Sequence, residues 1–387
     1  MIELDPAVYY NPDIPGVVMM EEERVIQFGK QHFCPIVLDQ VVQNRYRILS
    51  LLGWGGYAMV WLAVDQCLSP SSPSSKYVAL KIFRGAESSN DEYSRNEELC
   101  LRKLMQGRNR DDSGRRNIIQ LLDGFDLESP NGIHRCLVLE LAASDFAYLV
   151  EFEHYGFDHA VYIFKQCVEA VEYLHSLGIS HGDLDLSKFV LALPDLSTLT
   201  EAALVSKLWP PPKGTVNPVK MKDGSPLPDG VPESVCRPCP FDNSKLDLED
   251  RQVRLIDFGE AFTGTKRDVH THSRNTPPEL IDDDLASQSS DIWAMGCMLW
   301  HLMTGHPLMS YFEKYSPKDR YQGQRIFLSM SRQERRAKMA GILSKKLRAA
   351  EDDEDIAVLL DVLLDTLEPY PPDRPSASDL LSHSIFS

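Results

Sequence analysis

The stretch RLIDFGEAF, residues 254–262, sets an acidic residue at the end of a strand-like apolar run and follows it with an aromatic residue and a glycine. The run VRLI delivers Asp257 to its end, where a carboxylate can hold a magnesium ion bridging the phosphates of a nucleotide. Toward the C-terminus come TPPELI (276–281), SSDIWAMGCMLWHLMTG (289–305) and DRPSASDLLSH (373–383), in that order. Any one of these arises by chance. All of them in sequence, at compatible spacings, define one architecture.

Upstream lies SHGDLDLSKFVL (180–191), directly after the helical AVYIFKQCVEAVEYLHSLG, in which apolar residues recur at three and four. Further upstream, LLGWGGYAMVWLA (51–63) places glycines at 53, 55 and 56 between two apolar runs. A tight turn without side chains lets backbone N–H groups close over phosphates, although hairpins also use glycine routinely. VALK (78–81) then puts Lys81 on an otherwise apolar strand. Either Lys81 is a surface residue of an edge strand or it has a partner, and Glu97 in the following helix is the candidate.

The 387 residues are 43% hydrophobic and 25% charged, ordinary for a globular protein of one large or two smaller domains. The net charge of −17 disfavours nonspecific binding to nucleic acid and favours basic partners. MIELDPAVYY lacks a basic segment followed by an apolar one, so no secretory signal is read, and no apolar run is long enough to span a bilayer. Eight scattered cysteines suit reduced thiols, hence a location inside the cell, in cytoplasm or nucleus, with no membrane contact. Cys236 and Cys239 form a close pair, but no second pair stands at a zinc-site spacing, so the pair reads as a coincidence of the loop.

Residues 1–42 read as an extension packed on a domain, 43–140 as a sheet-based lobe with one helix, and 141–387 as a larger helical lobe. This is an α+β fold of two lobes, the first an antiparallel sheet. Within the second, about 194–250 is rich in Pro, Gly and Ser and is expected to be a loop-like or disordered insertion. A second irregular segment, KYSPKDRYQGQR, leads to the basic run SRQERRAKMAGILSKKLR. That run reads as a solvated helix face or a nuclear-localisation signal, and the acidic EDDED after it is positioned to neutralise it.

Together these motifs resemble the protein kinase fold over residues 43–387. GKQHFCPIVLDQVVQNRYRILSLLGWGGYAMVWLAVD, NGIHRCLVLEL and the insertion ahead of the DFG strand resemble more narrowly the SR-protein kinases and their divergent fungal-type relatives. The resemblance implies a serine/threonine kinase using ATP with Mg2+ or Mn2+ on basic, Arg/Ser-rich protein substrates, acting as a monomer. It implies that Leu52, Gly53, Gly55, Val60 and Ala79 enclose ATP while Lys81, paired with Glu97, engages the α- and β-phosphates. Leu139 becomes the gatekeeper, Glu140 and Ala142 offer backbone groups to adenine, Asp183 is the base and Asp257 the metal ligand. Glu279 with Arg374, and Asp291, become structural.

The family loop HRDxKxxN reads here His181, Gly182, Asp183, Leu184, Asp185, Leu186, Ser187, Lys188. The arginine that binds an activation-loop phosphate is absent, as in SR-protein kinases. Asp185 stands for the lysine that neutralises the transferring phosphoryl group, and Lys188 for the asparagine that binds a second metal. The pair either compensate, with Lys188 supplying the missing cation and Asp185 approaching a metal, or mark a pseudokinase that holds nucleotide or serves as a scaffold. Asn275 stands where the family has a tyrosine shaping the substrate site, and Ala58 replaces the third glycine of the turn.

Overall fold

The computed structural model describes residues 33–68, 76–85, 92–107, 113–152, 155–212, 216–221, 225–246, 252–266, 269, 274–282, 284–313, 321–347 and 353–386. The chain divides into two compact units, one comprising residues 1–98, 120–143 and 192–249, the other 99–119, 144–191 and 250–387.

The first unit is built on a six-stranded antiparallel sheet of β1 (Val41–Val42), β2 (Tyr46–Trp54), β3 (Ala58–Asp65), β4 (Tyr77–Phe83), β5 (Leu121–Ser129) and β6 (Gly132–Leu139), in the order β1-β2-β3-β4-β6-β5. The run YVALKIF becomes β4, an interior strand whose residues are buried except for the half-buried Lys81. The surface-edge alternative for Lys81 is therefore excluded. The stretch IIQLLDGFDL, residues 118–127, enters the sheet only at Leu121, since Ile118 bridges to Leu255 in the second unit. The helix α1 (Glu92–Met105) carries Glu97.

The segment 194–250 departs from its expected character. Its described residues belong to the sheet unit, where Val219, Val231, Val235 and Cys236 share a core with Ile48, Trp61 and Leu80. Val216–Pro218 pairs with Ser234–Cys236, and the Cys239 amide donates to the Leu51 carbonyl at 2.7 Å. Asn131 clamps it further, its Nδ2 donating to the carbonyls of Phe33 and Gly230, each at 2.7 Å. Gly230, at φ +81°, meets Asn131 so closely that a Cβ has no room. Prolines lower the apolar density, yet Val219, Leu227, Val231 and Val235 between them reach the sheet core, which a density count misses. Phe33, Cys34 and Ile36 of the N-terminal extension enter the same core, while residues 1–32 lie outside the described residues.

The second unit is mainly helical, with α2 (Phe157–Ser176), α3 (Gln288–Thr304), α4 (Arg332–Lys346) and α5 (Asp353–Thr366). The helix α3 is apolar on nearly all sides and almost wholly buried, as a central helix must be. It starts at a capping box on Ser287 and ends at Gly305, which takes the left-handed conformation, φ +73°. The basic run forms α4, and acidic residues further along the chain than EDDED pair with its first turns. Arg332 bonds Asp365 and Glu368, and Arg336 bonds Asp361 at 2.5 Å. Arg335 is buried, donating to the Leu367 carbonyl at 2.9 Å, so α4 is not a uniformly solvated face. KYSPKDRYQGQR resolves into a helix, Gln322–Leu328, at its end, and its residues 314–320 lie outside the described residues.

Glu279 and Arg374 form a buried bidentate pair at 2.9 and 2.8 Å, with Ser290 Oγ donating to Glu279 at 2.7 Å and the Arg374 guanidinium 5.2 Å above the Trp293 ring. Among the described residues, no helix is long and apolar enough to cross a membrane.

Two stability measurements follow from this packing. Val235→Asp places a charge in the sheet core and lowers stability by on the order of 3 kcal/mol in urea unfolding, whereas Trp209→Ala, at a site 63% exposed in the same insertion, leaves it nearly unchanged. Equal, negligible effects would return the segment to a solvated loop. Arg374→Ala strands the Glu279 carboxylate and costs about 3–5 kcal/mol, and the double change Glu279→Ala/Arg374→Ala costs less than the sum of the two singles. Additive costs would show that the two side chains act independently.

Candidate active site

In the sheet unit, Lys81 Nζ lies 2.8 and 2.7 Å from the two carboxylate oxygens of Glu97. The lysine is 13% exposed and the glutamate 1%, so this pair is shielded from water on the glutamate side and open on the lysine side. The ammonium also lies 5.2 Å from the Phe83 ring centroid. Strand register sets Lys81 opposite Val60, and Ala79 opposite Leu139. At the turn, Gly53 pairs with Val60 after a register shift at Leu52, and the Gly55 amide donates to the Ala58 carbonyl at 2.9 Å. A Cβ at Gly53, Gly55 or Gly56 would meet nothing within 4 Å, so the space above the turn is open to a ligand. Glu140 exchanges two bonds with Gln120, backbone to backbone at 3.1 Å and through its side chain at 3.0 Å. Ala142 opens the short strand Ala142–Asp145.

Sequence reasoning passed over an aromatic bracket in this unit. Tyr57, at the turn, stacks on Tyr93 with centroids 4.5 Å apart, while Arg84 covers its ring at 4.6 Å and the Arg84 amide donates to the Tyr57 carbonyl at 2.9 Å. Tyr93 precedes Glu97 by one helical turn. The bracket thus ties the turn to the helix that aims Glu97.

In the helical unit, the loop 181–188 hangs from Asp291. The amides of His181 and Gly182 donate to its two oxygens at 2.8 and 3.0 Å, and His175 Nε2 lies 2.9 Å away. His181 in turn contacts the Ile256 carbonyl at 3.1 Å and packs on Phe258. Gly182 has φ +84°, and a Cβ there would stand 2.8 Å from the Glu260 carbonyl. An arginine at this position would be strained in this backbone.

The chain then tightens into a single 3-10 turn, Leu186–Lys188, capped by Asp185, whose Oδ1 accepts from the Ser187 amide at 2.6 Å. The charge reversal at Asp185 is thus engaged by its own turn. Lys188 ends the turn, and its carbonyl accepts from the Ile256 amide at 2.9 Å. Phe189 next pairs with Leu255, so strand register holds Lys188 beside Asp257. Asp257 itself is left-handed, φ 70° and ψ 66°, a conformation that costs a non-glycine residue about 1–3 kcal/mol and recurs at functional sites.

The Lys188 ammonium bridges two carboxylates, 2.6 Å from Asp257 Oδ2 and 3.1 Å from Asp183 Oδ2. Burial works against its charge, but Asp257 and Asp183 outweigh it and hold the ammonium protonated well above the ordinary lysine range. Burial pushes the Asp183 carboxyl up, against the downward pull of Lys188. Asn275 Nδ2 donates to the Leu184 carbonyl at 3.2 Å, bracing the loop from the other side. Beside Asp185 and Ser187 opens a cavity of about 790 Å³ whose wall includes Glu151, Arg274, Asn275, His301 and Lys346.

The protein kinase domain family matches residues 46–193 and 242–386, leaving out 194–241. A serine/threonine-protein kinase SRPK of Physarum polycephalum is 26% identical over 304 residues, covering 74% of this chain and 66% of that protein. A serine/threonine protein kinase of Aspergillus fumigatus is 26% identical over 306 residues, 77% of this chain and 67% of the relative. Human SRSF protein kinase 3 is 26% identical over 205 residues, 51% of this chain and 35% of its own. This chain thus spans about two-thirds of the first two relatives and about a third of the last. A kinase-domain crystal structure superposes with a TM-score of 0.59 over 92% of this chain and 99% of its own, at 18% identity, a likeness of fold. The chain belongs to the protein kinase domain family, and the relatives it is similar to include SR-protein kinases.

Proposed function

We propose that this chain is an ATP-dependent serine/threonine protein kinase acting on Ser or Thr in basic, Arg/Ser-rich protein substrates. The observation that carries the reading is Asp183. Its carboxylate is kept at the head of a loop whose backbone is fixed by Asp291, and burial raises its proton affinity toward what a base needs. In the reaction, Asp183 orients the substrate hydroxyl and accepts its proton as the hydroxyl oxygen bonds to the γ-phosphorus. The bond from that phosphorus to the β–γ bridging oxygen breaks, and ADP leaves. Lys81, steered by Glu97, holds the α- and β-phosphates. Leu52, Gly53, Gly55, Val60, Ala79 and Leu139 enclose the nucleotide, and the backbone of Glu140 and Ala142 meets adenine.

The donor set fits one divalent ion and not two. Asp257 presents a carboxylate from a left-handed, strained backbone, whereas Lys188 offers no lone pair where the family has asparagine. A magnesium or manganese ion, when bound at Asp257, supplies charge neutralisation at the phosphates. The basic-substrate reading draws support from the net charge of −17. An intracellular site of action, in cytoplasm or nucleus, is supported by eight free cysteines, all buried but Cys67. We take the working unit to be a monomer.

A second reading, a pseudokinase that holds nucleotide without transferring phosphate, is favoured by one observation: the 2.6 Å bond from Lys188 to the metal-binding carboxylate. The deciding assay is transfer of labelled γ-phosphate from ATP to an Arg/Ser-rich peptide, with Mg2+ or Mn2+. Asp183→Asn, which keeps shape and removes the base, lowers the rate by about 10²–10⁴-fold. Wild-type transfer no greater than that of folded Asp183→Asn would hand the site to the pseudokinase reading.

A further inference from the structure

Lys188 is a cation delivered by the chain to the place where a nucleotide site of this kind otherwise gathers metal. Three observations fix it there. Its ammonium stands 2.6 Å from Asp257 Oδ2 and 3.1 Å from Asp183 Oδ2, bonding the metal-binding carboxylate and the base at once. Its backbone is pinned on both sides, the amide donating to the Asp185 carbonyl at 3.0 Å and the carbonyl accepting from the Ile256 amide at 2.9 Å. The turn that ends in Lys188 is closed by the Asp185 side chain, and the strand that follows is in register with the one leading to Asp257. The side chain is therefore aimed by the fold at the two carboxylates of Asp183 and Asp257.

We propose that the Lys188 ammonium replaces the second divalent ion, so that this chain binds a nucleoside triphosphate with at most one metal ion and holds it even when divalent ions are removed. The chemistry is a substitution of charge. An ammonium within bonding distance of Asp257 Oδ2 occupies that oxygen's lone pair and repels a second cation from the same few ångströms. It offers donors to phosphate oxygens in return. Asp185 serves this arrangement as a positioning residue. Its carboxylate forms the turn that presents Lys188, which gives the two departures from the family loop a single explanation.

The inference rests on the nucleotide-binding part of the proposed function, and binding measurements separate the two. The whole chain is titrated with a non-hydrolysable ATP analogue, once with excess Mg2+ and once with excess chelator, and bound Mn2+ is counted by electron paramagnetic resonance at saturating analogue. Wild type is expected to bind one Mn2+ per chain and to lose less than about tenfold in affinity under chelation. Lys188→Asn is expected to bind two and to lose far more than wild type under chelation. Lys188→Met, with neither charge nor lone pair, is expected to bind one Mn2+ and to fail to hold the analogue under chelation. Asp185→Ala, which opens the turn, is expected to move toward Lys188→Met.

Two Mn2+ on wild type, or binding by wild type that disappears with chelator, overturns the inference while leaving the kinase reading intact. No analogue bound by wild type under either condition overturns both. The wild-type counts decide the matter even if a variant fails to fold.

Discussion

A single buried carboxylate organises the chemistry of the helical unit. Asp291 is 2% exposed and has no water to solvate it, so its charge is stable only where donors surround it. Those donors are the amides of His181 and Gly182 and the ring of His175. The dependence runs both ways. The loop needs Asp291 to hold two adjacent amides aimed at one point, and Asp291 needs the loop to be tolerable inside the protein. Because α3 is buried along nearly its whole length, the anchor cannot drift, and Asp183, one residue past the second amide, inherits that rigidity.

The same anchoring explains Gly182. Two successive amides can converge on one carboxylate only if the backbone turns sharply between them and Asp183, and it does so at φ +84° with the Glu260 carbonyl close above. A side chain there would have to be accommodated by shifting the loop from Asp291. In this chain the absence of the family arginine is thus matched by a backbone that a Cβ would strain.

Much of this was legible in the sequence because it rests on local pattern. RLIDFGEAF and the motifs after it identified the fold, the strand runs became the sheet with small shifts of boundary, and the charge of Lys81 on an apolar strand led directly to Glu97. What was not legible depends on distance across the fold. The insertion looked unstructured because its apolar residues are sparse, and only the sheet core reveals that Val219, Val231 and Val235 are used. EDDED was the nearest acid in the sequence to α4, but the pairing of Arg332 with Asp365 and of Arg336 with Asp361 is set by α5 lying antiparallel in contact range, which no local pattern announces. Tyr57 and Tyr93 are 36 residues apart, and nothing in either neighbourhood announces a stack. Lys188 is legible in the sequence as a lost ligand or as a substitute cation, but its two carboxylate partners emerge only once β-register brings residue 257 alongside residue 188.

The placement of Lys188 raises a question of balance for any catalytic reading, since a base bonded to an ammonium is a weaker base. The direction of the Asp183 shift answers it. Lys188, by charge and by hydrogen bond, pulls the carboxyl's proton affinity down, His181 adds to the pull, and burial pushes it up; burial is the largest of these and the net direction is upward. The loop therefore compensates by desolvation for what the cation removes. Asp185 contributes to the same end, since its charge, held near by the turn it caps, also raises Asp183. The charge-reversed loop is in this sense a closed arrangement: the lysine bridges two carboxylates, the added aspartate shapes the turn that delivers the lysine, and burial raises the proton affinity of the base.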